Sequence, residues 1–568
     1  MEENQVSSEL NGVMLQGFHW FLQENSFPGS QGRKLWQFLR DEAPHYRSIG
    51  IDAIWIPPAY KPAFNRTNSV GYDVYDHFDL GEFPISGDPD PNPETKYGSK
   101  QDLLAAIEAL HGDGTNQRIQ VYADVVLNHK MGGAQDNYWQ AIRVEKDNRN
   151  IERWWDGYES GLIEIQGYTK FEYPDRQNKY SSFKWYSRHF DSVDAAAKIR
   201  QGDWEFFEPS GKYIYRYLFN EENYIPQIKS FAQWVSLEKG NYDYLTGCDL
   251  DYGRYDVREE MKYWGSWLVQ ELDLDGVRLD AVKHINADFI REWLGHVRWF
   301  TGRNLFAVAE YLSGDLNALH AYIKRVTSEG DYPQRLCLFD FPLRFKFGDA
   351  SRQGQAYDLR NLNSSTLVAE QPALAVTFVE NHDYEYGRFY ESHVEEWFKP
   401  LAYAYILLRR QGYPCIFFPD YYGSGNWYEA ERQWHRAQLS GNSYLDLLLQ
   451  LRKQFALGEE QYYANANVAG WVRLGFVPGA KGAMAVVINN AYNRVEAIRM
   501  NTGRSSKRFY HLATIKATPD GFLVVRDRYE MYGSKAEELY TDEFGWADFL
   551  ADGGTVAIWI EDGVGLSS

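Results

Sequence analysis

The fold that the sequence predicts is α/β: a (β/α)8 barrel of the TIM type, with an irregular β-rich domain inserted after strand 3 and an antiparallel β-sandwich domain at the C-terminus. Three observations predict it. Eight short apolar runs alternate with about eight amphipathic segments, the pattern of parallel strands joined by crossover helices. Eight units is the count that closes a barrel, and a doubly wound open sheet is the alternative. The alternation breaks from about 129 to 254, and beyond about 456 it gives way to alternating runs split by Gly, Asn and Asp.

Taken in order, GVMLQGF (12–18), DAIWIPP (52–58) and RIQVYADVV (118–126) are rich in Val and Ile and bounded by Gly or Pro, as buried strands are. LWQFLRDEA (35–43) and KQDLLAAIEALHGDG (100–114) have helical spacing, and the second closes on glycines. Residues 129–254 are rich in Trp, Tyr, Asp and Gly without a sustained period. A structureless loop of that length is uncommon, so short strands around bound ions or ligands are expected there. The alternation resumes with strands LDGVRLDA (274–281), NLFAVAEY (304–311), RLCLFDF (335–341), ALAVTFVEN (373–381) and CIFFPDYYG (415–423). Helical patterns at 257–272, 287–300, 315–326, 399–410 and 443–455, with a polar helical stretch before 373, accompany them. WVRLGF (471–476), AMAVVINN (483–490), FLVVR (522–526) and TVAIWIE (555–561) mark the antiparallel domain. The expected domains are 1–128 with 255–455 for the barrel, 129–254 for the insert and 456–568 for the C-terminal unit.

A chain of 568 residues is long enough for several cores. Lys+Arg 59 against Asp+Glu 79, a net charge of -20, argues against nucleic acid or an anionic membrane surface as partner. Aromatic residues make up 16%, with 19 Trp and 42 Tyr, and flat rings suit the apolar faces of sugars as well as cores. Cys248, Cys337 and Cys415 cannot form a fully paired disulfide framework. MEENQVSSEL lacks the basic start and apolar run of a secretory signal, and no apolar stretch approaches membrane-spanning length, so a cytoplasmic location is expected. DPDPNPE (88–94) has the look of a calcium loop, but Pro93 stands where Gly is needed and Ser99 where a bidentate Glu is needed. It reads as a rigid turn.

The chemistry gathers around LDGVRLDAVKH (274–284). Period-two alternation places Gly276, Arg278 and Asp280 on one face of a strand. A guanidinium beside a carboxylate lowers its pKa, so Asp280 is expected to be ionised. In a parallel barrel the reactive groups stand at the C-terminal ends of strands. Those ends carry Asn128 and His129, then Asp280, Lys283 and His284, then Glu310, then His382 and Asp383. A single strand-end carboxylate is more often a cap or a surface charge. Asp280 and Glu310, however, lie on consecutive strands, about 4.8 Å apart, near the roughly 5–5.5 Å between the two carboxyls of a retaining glycosidase. Glu310, between Ala309 and Tyr311, is expected to have a raised pKa, which would separate an acid from an ionised nucleophile. Asp383 would stabilise a cationic transition state.

DVVLNH (124–129), GVRLDAVKH (276–284), VAEY (308–311) and FVENHD (378–383) resemble, in order, the four signature segments of the alpha-amylase family of glycoside hydrolases. VGYDVYDHFDLGEF (70–83), NYDYLTGCDLDY (241–252) and GWADFLADGGTVAIWI (545–560) extend the likeness over nearly the whole chain, most of all to liquefying and intracellular bacterial members. The resemblance implies endo-acting, retaining hydrolysis of α-1,4-glucosidic bonds in starch, glycogen or maltodextrins. It makes Asp280 the nucleophile, Glu310 the acid/base and Asp383 the transition-state stabiliser. Arg278, His129 and His382 would hold the sugar at the cleavage point, Tyr72 would stack on it, and Lys283 would bind the next unit. A calcium ion between barrel and insert is implied too, on Asn128, Asp243, Asp249 and the backbone carbonyl of His284, oxygen donors that suit a hard cation. Asp251 fits the further metals of some relatives, whereas Ala232 stands where an aspartate is expected. Leu312 stands where an aromatic is common. The same scaffold serves transglycosidases, and a silent glycan-binding relative would be expected to lack a catalytic carboxylate; all three are present.

Overall fold

The computed structural model describes residues 11–564 apart from 64–67, 85–91, 154–160, 219–228, 328–333, 386–387, 389–391, 424–443, 519–520 and 526–537. The expected turn at 88–94 and the terminal MEENQVSSEL segment therefore lie wholly or mostly outside the described residues. Eight strands close a parallel barrel in sequence order: β1 (Met14–Gln16), β2 (Ala53–Ile56), β3 (Gln120–Val125), β4 (Gly276–Leu279), β5 (Phe306–Ala309), β6 (Cys337–Phe339), β7 (Ala375–Phe378) and β8 (Tyr413–Phe417). Pairing of Met14 with both Ala53 and Cys415 closes the ring and excludes the open sheet. The strands are buried almost throughout, which is why they read as continuous apolar runs rather than alternations.

Between them run helices such as Leu35–Ile49, Lys100–His111, Tyr255–Glu271, Ala287–Thr301 and Lys399–Leu408. Helix Lys100–His111 opens on a reciprocal capping box between Ser99 and Asp102. Two local expectations change. The first helix continues through Pro44 to Ile49, because Tyr46 and Ile49 extend its buried stripe into the core. The last strand stops at Phe417, and Phe418–Tyr422 turns helical, with Pro419 in the first turn, where its missing N–H costs nothing. No described helix is long and apolar enough to cross a membrane.

The stretch without sustained period holds an eight-stranded sheet, ordered Trp204–Phe206, Ala196–Gln201, Ile163–Gly167, Tyr138–Val144, Ile214–Tyr217, Phe190–Val193, Cys248–Leu250, His129–Lys130. Its last strand leaves the end of β3 after three residues, so the sheet is anchored at the barrel mouth. Toward the C-terminus, a seven-stranded antiparallel sheet that includes Val468–Arg473, Met484–Asn489 and Thr555–Glu561 faces the pair Glu496–Asn501 and Trp546–Ala551. Val472, Val487 and Trp559 from one layer pack with Ile498, Met500 and Phe549 from the other, which makes a sandwich.

Candidate active site

The polar centre of the barrel is Arg278, on β4 and 1% exposed. Its Nη1 donates to Asp124 Oδ1 and Oδ2 at 2.9 and 3.1 Å and to Asp280 Oδ1 at 2.5 Å, while Nη2 donates to Glu310 Oε2 at 2.9 Å. The expected Arg278–Asp280 pair is thus one arm of a three-carboxylate cluster. Asp124 is the member that strand-end reasoning missed, because it lies inside β3 rather than at its end. A charged residue within VYADVV was the available signal, since a buried carboxylate requires partners. Trp55 Nε1 and the Tyr72 hydroxyl also donate to it, at 3.0 and 2.8 Å.

Leu279 pairs with Ala309 across β4 and β5, so Asp280 and Glu310 occupy matching positions one residue beyond the ladder. Ala281 adopts a left-handed backbone (φ 49), uncommon for a residue with a side chain. Its N–H donates to Glu310 Oε2 at 3.1 Å. Glu310 Oε2 therefore accepts two bonds, leaving Oε1 as the oxygen open to carry a proton. Asp280 likewise commits Oδ1 to Arg278.

The expected split between an ionised Asp280 and a protonated Glu310 is corrected. Burial, with Asp124 and Asp383 adding negative charge, outweighs Arg278 and pushes Asp280 up to about 7. Burial likewise outweighs Arg278 at Glu310, which is also pushed up to about 7, with Asp280 and Asp383 contributing. One guanidinium shared among three carboxylates cannot hold Asp280 low, so the two groups titrate as a coupled pair. Asp383 differs: burial works to raise it, but His382, Arg388 and Arg278 outweigh burial and hold it below the ordinary carboxylate value.

A cleft of about 600 Å³ opens over these groups and is lined by Asp280, Glu310 and Asp383 together with Tyr72, His129, Lys283 and His382. Leu312 lines it too. Arg278 does not; it lies beneath, with both terminal nitrogens committed to carboxylates. Tyr72 and His382 stack face to face, centroids 5.1 Å apart at 4°. Gln16 Nε2 lies 3.0 Å from His382 Nδ1 and donates to it, which turns Nε2–H toward Asp383 Oδ2 at 3.5 Å. His129 Nε2 donates to the Tyr72 carbonyl at 2.8 Å. Burial lowers His129 to about 4 and His382 to about 3, so both are neutral at pH 7. Lys283 Nζ is held by Glu238 Oε2 and the Leu312 carbonyl at 3.1 and 3.0 Å.

Where the insert meets the barrel, oxygens of Asp191, Asp243 and Asp249 lie within 4.8 Å of one another, and all three residues are buried. Asn128 Nδ2 donates to Asp249 Oδ1 at 3.2 Å, while Asn128 Oδ1 is buried without a partner among the described residues. Burial, with Asp251 adding negative charge, pushes Asp191 up to about 6, and burial with the charge of Asp191 raises Asp243 and Asp249 well above the ordinary carboxylate range. Hard oxygen donors, an orphaned amide oxygen and clustered negative charge fit a calcium ion. Asp191 was missing from the sequence-derived set because it reaches the others only through the pairing of Ser192 with Asp249. His284 Nδ1 donates to the carbonyl of Tyr242, the residue before Asp243, at 2.6 Å. Asp251 adds negative charge to Asp191 and Asp243 but carries its own cation: the buried Lys229 Nζ pairs with it at 2.9 Å, and Ala232 offers only its N–H, donated to Asp243 Oδ2 at 2.6 Å.

A parallel barrel that brings three carboxylates to one cleft has the arrangement of a glycoside hydrolase. The catalytic-domain model of alpha amylase matches residues 36–445. The chain is 38% identical to an alpha-amylase of Geobacillus stearothermophilus over 98% of its own length and 88% of the relative's. It is 37% identical to the cytoplasmic alpha-amylase of Escherichia coli (strain K12), with 97% and 99% covered. The chain belongs to the alpha-amylase family. Among solved structures it is similar in fold to an alpha-amylase from Malbranchea cinnamomea, with a TM-score of 0.56 at 15% identity and 98% of each chain covered.

Proposed function

We propose that the protein is an endo-acting, retaining hydrolase of α-1,4-glucosidic bonds in starch, glycogen or maltodextrins. The observation that carries this reading is the bridge from Arg278 to both Asp280 and Glu310, which aims two carboxyls one strand apart into one cleft. Asp280 Oδ2 attacks the anomeric carbon while Glu310 Oε1 protonates the departing glycosidic oxygen. Glu310 then takes a proton from the water that releases the glycosyl-enzyme. Asp383, kept ionised, faces the developing positive charge. Tyr72, His129 and His382 hold the reacting glucosyl unit and Lys283 the next one, whereas Arg278 acts from below by orienting the carboxylates.

Asn128, Asp191, Asp243, Asp249 and the His284 carbonyl would hold one calcium ion, whose charge ties insert to barrel. The division into 1–128 with 255–455, 129–254 and 456–568 follows the same reading, with the cleft between the first two units. Likeness to a cytoplasmic relative and the three free cysteines support a cytoplasmic location.

A timed digest of amylose tests the reading. The wild-type protein is expected to release linear maltooligosaccharides, α-anomeric at first, while Asp280→Asn, with an unchanged circular dichroism spectrum, loses roughly 10⁴-fold in rate. Cyclic or lengthened products would favour a transferase, and near-normal turnover by the variant would remove Asp280 from the mechanism.

A further inference from the structure

We propose that Arg388 is a positioning and sugar-binding residue of this cleft: it holds Asp383 in place and offers Nε to a hydroxyl of the glucosyl unit at the cleavage point. The inference rests on the α-glucan hydrolysis reading. Arg388 lies beyond the end of β7 in no regular element, so collecting strand ends overlooks it. Its Nη2 donates to Asp383 Oδ1 at 3.1 Å, and its backbone N–H donates to the Glu385 carbonyl at 3.1 Å. The guanidinium carbon lies 3.3 Å from the ring centroid of Trp20.

The backbone that carries this indole is itself held. The backbone N–H of Trp20 donates to Glu385 Oε1 at 2.6 Å, and Glu385 Oε2 is 3.0 Å from His19 Nδ1. The ring is parallel to Tyr72 and His382, at 6° and 7°. One residue, Glu385, thus accepts from the backbone N–H of both Trp20 and Arg388, the residues that carry the plate and the cation stacked on it. A planar guanidinium so clamped keeps its fork aimed at Asp383, which the single-point ammonium of a lysine would not.

Nε supplies the second half of the inference. It is buried and has no partner among the described residues, although Trp20, Asp383 and Arg388 all line the cleft. An unpaired buried donor is unfavourable, and a sugar hydroxyl can accept from it while donating elsewhere. The groups facing Asp383 are His382, Arg278 and Arg388, which favour its charge, and Asp280 and Glu310, which oppose it. His382 is neutral and Arg278 is shared, so Arg388 is the cation committed to Asp383.

The test measures steady-state kinetics of Arg388→Ala and Arg388→Lys on amylose and on maltooligosaccharides of defined length, from acid to neutral pH. Arg388→Ala is expected to lose about ten- to hundredfold in kcat, to raise KM, and to move the acidic limb of kcat/KM to higher pH. Arg388→Lys should return the limb to its wild-type position but leave KM raised, because it restores charge without Nε. Unchanged kcat, KM and limb in a folded Arg388→Ala would overturn the proposal. So would a lysine variant with wild-type KM, or one that leaves the limb displaced; these readouts stand even if the alanine variant fails to fold. A wild-type protein inactive on α-1,4-glucans would instead sink the underlying functional reading.

Discussion

Two clusters of buried aspartates and glutamates lie on either side of the Asn128–His129 step, and they solve the same electrostatic problem differently. At the barrel mouth, Asp124, Asp280 and Glu310 all bond to the guanidinium of Arg278. In the insert, Asp191, Asp243 and Asp249 have no ion pair among the described residues. The first cluster holds its counter-charge covalently, from below, which leaves free oxygens facing the cleft for chemistry. The second has no cation bonded to it among the described residues, with Lys229 and Arg149 acting on it only from beyond bonding distance, which suits the proposed structural metal. Asp251 is the control between them, because Lys229 supplies its cation from within the chain. Built-in charge keeps carboxylates reactive, whereas borrowed charge makes them ligands.

Removing the built-in cation should have the largest effect. Arg278→Met leaves buried carboxylates unpaired, a change that costs about 3–5 kcal/mol. Urea unfolding is expected to show that loss together with collapse of activity. A variant as stable as the wild type would mean that the mouth does not depend on its guanidinium.

Withdrawing the borrowed cation should matter somewhat less. A calcium level a hundredfold above Kd stabilises a folded protein by about 2.7 kcal/mol, so a chelator should lower Tm and added calcium should restore it. Asp191→Asn is expected to weaken calcium binding in a direct titration. Indifference of both Tm and titration to calcium would break the contrast between the clusters.

Per proton and per pH unit, the smallest effect is that of pH on the mouth. Asp280 and Glu310 have folded-state values near 7, above their ordinary 3.8 and 4.5. The folded state therefore binds protons more tightly than the unfolded one, and the stability these groups contribute is present below about 4 and is lost as pH rises through 7. The slope is at most about 1.4 kcal/mol per pH unit for each proton. The proposed mechanism needs one proton on the pair, so kcat/KM is expected to be bell-shaped, falling about tenfold per pH unit on each limb, with apparent values that belong to the pair. Stability that rises between pH 4 and 7 would show that Arg278 outweighs burial after all.

Much of this was legible in the residue order. Strand-end collection found Asp280, Glu310 and Asp383, because a parallel barrel converts a position along the chain into a position around a rim. Asp124 was hidden in a strand, Asp191 in a segment whose strands are too short to show a period, and Arg388 in a loop. Each acts through a partner that local sequence cannot name. The pKa order failed for the same reason: the RLD triplet displays one guanidinium beside one carboxylate, whereas the folded protein divides that guanidinium among three.

The sequence by itself determined the barrel, the place of the insert and the three carboxylates on the rim, since those follow from hydrophobic period and from which residues end each apolar run. Only the tertiary structure decided which charges share a counter-ion and which are left to bind one. Burial and long-range pairing set those energies, and both exist only once distant strands are side by side.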